Sequence, residues 1–158
     1  MTVCVALVTP ASCYMGADSA VISGDLYSIS ETPKVANIKG TLIGFAGSWK
    51  AGAQAFKKLQ RMPQINIELF AREFITDEKD WELLIVHERR VWHVGDNNQI
   101  VEIRSRDHCT YGSIGIGQSV ALGALYVDHI DHASVLTALR AAEAHTVGIK
   151  RPFTIVET

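Results

Sequence analysis

Thr2 stands directly behind the initiator Met1. A small second residue favours removal of the methionine, which would leave a threonine carrying both a hydroxyl and a free α-amine. Such a residue can be nucleophile and general base at once, the amine taking the hydroxyl proton. The reference pKa of an α-amine, about 7.7–8.0, is already close to the working range of a base. A lysine ammonium nearby lowers it further and stabilises an alkoxide as it forms. A carboxylate is then needed to hold that lysine and balance its charge. A backbone N–H must also face the carbonyl oxygen that becomes negative, and a glycine at a strand-to-helix junction supplies one. Asp18 in Gly16-Ala17-Asp18-Ser19, Lys34 in Thr32-Pro33-Lys34-Val35 and Gly47 in Ala46-Gly47-Ser48 provide these parts, each at the end of an expected strand.

The elements that must position them follow from periodicity. Val3 to Val8 is apolar and β-branched without a helical period, which predicts a buried strand. Pro10-Ala11-Ser12 is a turn, and Cys13 to Ala17 returns as a second strand that delivers Asp18. Val21 to Ile29 is broken by the turn residues Ser23-Gly24-Asp25. Lys34 to Ile38 and Thr41 to Ala46 make another hairpin around Lys39-Gly40. Ser48 then caps a helix with Trp49, Ala53, Phe56 and Leu59 on its apolar face and Lys57, Lys58 and Arg61 opposite, stopped by Pro63. Ile67 to Ile75 predicts a shorter helix. Strands follow at Trp81 to Val86, Val91 to Val94 and Gln99 to Arg104, the first two joined at Glu88-Arg89-Arg90. Gly112 to Gly117 reads as a glycine-rich turn into a helix over Gln118 to Asp128. A last helix, Asp131 to Ala144, is capped by Asp131, and Phe153 to Val156 closes as a strand. Helices in pairs between antiparallel strands argue against a βαβ nucleotide-binding fold and favour two sheets between helical layers. No linker or repeat interrupts the order, so residues 1–158 read as one domain.

Taken together, these landmarks resemble the proteasome β-subunit superfamily and, within it, the HslV-like bacterial ring peptidases. Counted from Thr2 as the first residue, Asp18 and Lys34 fall on the family's aspartate and lysine without a gap. Ala46-Gly47-Ser48 is similar to its glycine turn before the first long helix. Ser113-Ile114-Gly115-Ile116-Gly117 with Ala121-Leu122-Gly123-Ala124-Leu125 is similar to its later glycine-rich turn and helix, and Pro152-Phe153-Thr154-Ile155-Val156 to its last strand. The resemblance covers essentially the whole chain, with a shortened stretch around Pro63 to Lys79. It implies an α+β, four-layer αββα sandwich of the N-terminal-nucleophile hydrolase class and a threonine-type endopeptidase with Thr2, Asp18, Lys34 and Gly47 as its catalytic residues. It further implies a substrate pocket at Val21, Thr32, Phe45 and Trp49, stacked homo-oligomeric rings, an ATP-dependent unfoldase partner and unfolded polypeptide as substrate, with no metal or organic cofactor. Two departures stand out. Ile116 occupies the place of a serine in the glycine-rich turn, and His145-Thr146-Val147-Gly148 replaces an Asp-x-x-Ser pair that supports the terminal amine. These favour, as an alternative, a catalytically silent ring or scaffold subunit; a third reading is an amidohydrolase of the wider N-terminal-nucleophile class acting on a small amide.

The rest of the composition narrows the field. The chain has 158 residues, 47% apolar and 20% charged, enough for one full core. A net charge of −2 without a basic tract gives no reason to expect nucleic acid. Apolar runs fall far short of the ~18 residues of a membrane span, and the first residues read as a strand rather than a signal peptide. Cys4, Cys13 and Cys109 are odd in number and lack metal-like spacing, as expected of reduced thiols in a cytoplasmic protein. Asp128-His129-Ile130-Asp131-His132 has a metal-like pattern, but Asp131 is wanted as a helix cap and no third ligand cluster accompanies it. His87, His93 and His108 read as surface or packing residues. Gly112 to Gly117 lacks the Gly-Lys-Ser/Thr ending of a phosphate loop.

Overall fold

Val3–Val8 (β1) is buried at every position, so neither of its faces meets water and it must run through the middle of the molecule. In the computed structural model, which describes residues 1–23, 26–104 and 108–158, it does so. The elements in chain order are β1, β2 (Cys13–Ala17), β3 (Ala20–Ser23), β4 (Leu26–Ile29), β5 (Val35–Ile38) and β6 (Thr41–Gly47), then helices α1 (Trp49–Arg61) and α2 (Ile67–Glu73). Next come β7 (Trp81–His87), β8 (Arg90–Gly95), β9 (Ile100–Ile103), β10 (Thr110–Gly115), α3 (Gln118–Val127), α4 (His132–His145) and β11 (Thr154–Glu157).

One sheet has four strands in the order β10-β1-β2-β11, a second has five in the order β5-β6-β7-β8-β9, and β3 and β4 pair separately. All of the pairings are antiparallel. Strand alternation sends each sheet's side chains to two different cores. Cys4, Ala6, Met15, Leu42, Leu84 and Ile114 meet between the two sheets. Val3, Val5 and Leu7 point the other way, into Leu125, Val135, Leu139 and Ala142 of α3 and α4. Phe45, Leu83 and Ile85 point out of the second sheet into Ala51, Ala55 and Leu59 of α1 and Phe70 of α2. Three cores separate four layers, and the αββα sandwich of an α+β protein results.

The turns have local causes. Ser48 accepts the Ala51 N–H and caps α1, while Asp131 and Ser134 form a reciprocal capping box at α4. Glu88 and Arg89, both at positive φ, close the β7–β8 hairpin in two residues. The turn expected at Gly24-Asp25 lies outside the described residues.

Two expectations need correction. Ala53 is exposed; the buried face of α1 is Ala51, Gly52, Ala55 and Leu59, because the ring of Phe45 lies against the bare Cα of Gly52 and turns the helix that way. The stretch expected as a turn from Gly112 to Gly117 begins as strand β10, which pairs with β1 from Val8↔Thr110 to Val3↔Gly115. Gly112 fits there because a Cβ would come within 2.7 Å of the Ile103 side chain. Only Ile116 and Gly117 then remain as the turn into α3.

Candidate active site

Thr2, Asp18 and Lys34 arrive from three different strand ends. Thr2 immediately precedes β1 in the first sheet. Asp18 follows β2, whose pairing with β1 ends at Cys4↔Ala17, so the aspartate lands beside Val3. Lys34 immediately precedes β5 in the second sheet, anchored by its carbonyl, which accepts the Phe45 N–H at 3.1 Å.

The three side chains form one chain of polar contacts. Lys34 Nζ donates to Thr2 Oγ1 at 2.9 Å and to Asp18 Oδ1 at 3.1 Å. Asp18 Oδ1 also accepts the Val3 N–H at 3.0 Å, and its Oδ2 accepts the Ala20 N–H at 2.9 Å. The carboxylate is therefore fixed from both oxygens, and the lysine has a defined anchor. Thr2 Oγ1 donates to the Met1 carbonyl at 2.6 Å. Relative exposure is 4% for Thr2, 2% for Asp18 and 1% for Lys34. Burying two charges costs several kcal/mol per ion unless pairing and hydrogen bonds compensate, and here both do. Burial pulls the Lys34 ammonium below the ordinary lysine range, with the charge and hydrogen bond of Asp18 opposing it. Cys4, next to this pair, is driven the other way: burial pushes its thiol far up, so it stays neutral and packs under Gly44.

Beside Thr2 opens a cavity of about 490 Å³. Its walls include Met1, Gly47, Glu82, His93, Gly115 and Ile116. Gly47 closes β6 at φ +85°, and a Cβ there would fall 1.8 Å from the Asp80 carbonyl oxygen, so only glycine fits. The turn thus places Gly47 on the same cavity as Thr2. Gly115 repeats the device at φ +85°, its Cα set against the Thr2 carbonyl.

The four residues expected to form the substrate pocket do not line this cavity. Phe45 is 2% exposed and packs edge-on against Trp49 and Phe56 at centroid distances of 5.0 and 5.7 Å. The reason is alternation along β6: Gly44 and Ala46 face the other sheet, so Phe45 faces α1. Val21 is half-buried on β3, and Thr32 is exposed in a turn with Ser30. Ile116 is exposed at the rim of the cavity, and His145 is exposed at the end of α4. Gly148, at φ +94°, is buried against the Met1 side chain.

Glu82, which the sequence did not single out, and His93, read there as a surface or packing residue, both belong to the cavity. Glu82 Oε2 accepts the Gly115 N–H at 3.1 Å, and its Oε1 lies 3.2 Å from His93 Nε2. A signal existed: Glu82 is the one charged residue in the run Trp81-Glu82-Leu83-Leu84-Ile85-Val86. The Asp128–His132 segment, by contrast, is occupied structurally. Asp131 caps α4, Asp128 accepts from Ser134, and His129 bonds the Leu125 carbonyl. Among the described residues no group of three or more His, Cys, Asp or Glu is arranged to hold a metal.

No family model and no curated protein matches the chain by sequence. Solved structures do match. Eukaryotic HslV from Trypanosoma brucei is 18% identical with a TM-score of 0.79, covering 99% of this chain and 98% of its own. BPH from Thiobacillus denitrificans in complex with epoxomicin is 16% identical with a TM-score of 0.76, covering 100% and 98%. Anbu (ancestral beta-subunit) from Yersinia bercovieri is 16% identical with a TM-score of 0.75, covering 98% and 80%. At these identities the likeness establishes the fold.

Proposed function

We propose that this chain is a threonine-type endopeptidase subunit of a proteasome-like, self-compartmentalised ring, with Thr2 as nucleophile once Met1 is removed. The observation that carries the reading is the buried line from Thr2 Oγ1 through Lys34 Nζ to Asp18, with steps of 2.9 and 3.1 Å. A threonine hydroxyl has no structural need for a buried ammonium, whereas a nucleophile that must become an alkoxide does.

In this mechanism Thr2 Oγ1 forms a bond to the scissile carbonyl carbon while the α-amine freed from Met1 accepts the hydroxyl proton. Lys34 stabilises the negative oxygen of Thr2, and Asp18 holds Lys34. The Gly47 N–H serves the carbonyl oxygen as it becomes an oxyanion. Collapse breaks the C–N bond, the ammonium returns its proton to the leaving amine, and water hydrolyses the Thr2 ester. While Met1 is attached, the nitrogen of Thr2 is an amide and cannot act as base. The same reading includes self-association into stacked rings, an ATP-dependent unfoldase as partner, unfolded polypeptide as substrate and a cytoplasmic setting. The three cysteines are free, and no helix among the described residues is long and apolar enough to cross a membrane.

A peptide epoxyketone tests the chemistry, because its two electrophilic carbons can take a hydroxyl and an amine from one residue. Intact-mass spectrometry is expected to show loss of Met1 and an adduct on Thr2, absent in Thr2→Ala. Retained Met1 with no adduct sinks the peptidase reading. That result would favour the silent ring subunit suggested by Ile116 and by His145 to Gly148. Native mass spectrometry of the same sample reads the assembly.

A further inference from the structure

The proposed chemistry is divided between two sheets. Thr2 leads into β1 of the first sheet, whereas Lys34 leads into β5 and Gly47 ends β6 of the second. Their mutual geometry therefore depends on what fixes one sheet against the other at the mouth of the cavity. Apolar side chains between the sheets set the spacing farther in, but they define no direction at the rim.

Glu82 occupies the place where a directional contact is wanted. On β7 it lies opposite Ala46, one register step from the Gly47↔Trp81 pair. Its carboxylate crosses to the first sheet and takes the N–H of Gly115, which is paired with Val3, the residue after Thr2. The Gly115 Cα in turn lies against the Thr2 carbonyl, closer than any side chain would allow. His93 on β8 sets its Nε2 3.2 Å from the other carboxylate oxygen, a close contact without the alignment of a hydrogen bond, on the side of Glu82 away from Gly115. We propose that Glu82 is a positioning residue that clasps the two sheets and sets the placement of Thr2 relative to Lys34 and Gly47.

His93 foremost, with the Gly115 N–H, holds the Glu82 carboxyl below the ordinary glutamate range despite its partial burial, so the acceptor is a carboxylate near neutral pH. The other charged groups on this cavity are Asp80 and Asp96, with Lys34 and Asp18 behind Thr2. Asp96 accepts the Asp80 N–H, which keeps it on its own side of the gap.

The proposal rests on the threonine-nucleophile reading, and the test separates the two. Rates of epoxyketone labelling are measured for wild type, Glu82→Ala, Glu82→Met and Glu82→Gln, together with hydrogen exchange at the Gly115 amide. Glutamine retains an oxygen that accepts the N–H; alanine and methionine do not, and methionine preserves the bulk of the side chain where alanine weakens the fold. A displacement of about 1 Å at a reacting pair is enough for ~100-fold. Glu82→Ala and Glu82→Met are therefore expected to lose ~10–100-fold in the limiting labelling rate while half-saturation changes less than ~3-fold. Glu82→Gln should stay within ~3-fold of wild type. The Gly115 amide should be protected in wild type and Glu82→Gln and exposed in the other two. Unchanged labelling in Glu82→Met overturns the proposal. So does equal loss in Glu82→Gln, because Thr2 would then be sensing charge rather than the clasp. Wild type without label refutes the peptidase reading and with it the catalytic role of Glu82, while exchange at Gly115 still reports whether the clasp exists.

Discussion

At the scale of single residues, Lys34 carries the sharpest expectations. Lys34→Ala strands the Asp18 charge in a site with 0% side-chain exposure, and breaking a buried pair in this way costs about 3–5 kcal/mol. Urea unfolding should show that loss, and Lys34→Met with Asp18→Asn should cost less than the sum of the single changes. The lysine's lowered pKa also fixes the sign of a pH effect. In the folded state it releases its proton before the unfolded chain does, near ~10.4. Between those two values the unfolded state binds more protons, so this group's contribution to stability rises with pH. Below the window the full penalty of burying the ammonium applies. The alkaline urea midpoints of wild type should thus climb relative to those of Lys34→Met; a constant difference would refute the assignment. The spacing of Thr2, Asp18 and Lys34 was legible in the sequence because each sits at the end of a readable strand. Glu82 was not, and His93 read only as a surface or packing residue, because a polar residue in an alternating strand ordinarily marks a solvated face, and nothing local says that the second sheet's end meets the first.

At the scale of elements, glycines and caps decide where strands stop. Gly115→Ala places a side chain at φ +85° against the Thr2 carbonyl, and the backbone strain alone costs about 1–3 kcal/mol. The variant should unfold at lower urea and fail to label at Thr2 even where it remains folded. Asp131→Ala removes the acceptor for the Ala133 and Ser134 N–H groups. It should cost about 1 kcal/mol with no change in labelling, because α4 packs on the side of the first sheet away from the cavity. Most elements could be read from period and caps, including both hairpins, α1 and α4. β10 could not, because its glycines look like a turn until β1 is seen to need a partner on its free edge. The four expected pocket residues lie off the cavity beside Thr2 for a related reason. Phe45 and Ala46 are adjacent in sequence, yet one faces α1 and the other the opposing sheet, and only the assembled sandwich shows which of these faces holds the open space.

At the scale of the whole molecule, the candidate site exists only when the two sheets are stacked, since neither sheet alone holds Thr2, Lys34 and Gly47 together. Labelling competence should therefore vanish in urea at the same midpoint as near-ultraviolet dichroism, as expected of a domain that unfolds in one step. A lower midpoint for labelling would mean that the cavity opens before the core does. The chain order adds a further consequence. Thr2 is made first, but the strand that lies along its own, ending at Gly115, is made after some two thirds of the polypeptide. A nascent chain thus presents Thr2 from the start while Lys34, Gly47 and Gly115 are unmade or apart. On the proposed reading, a threonine made first becomes a nucleophile only when the last third of the chain has closed around it.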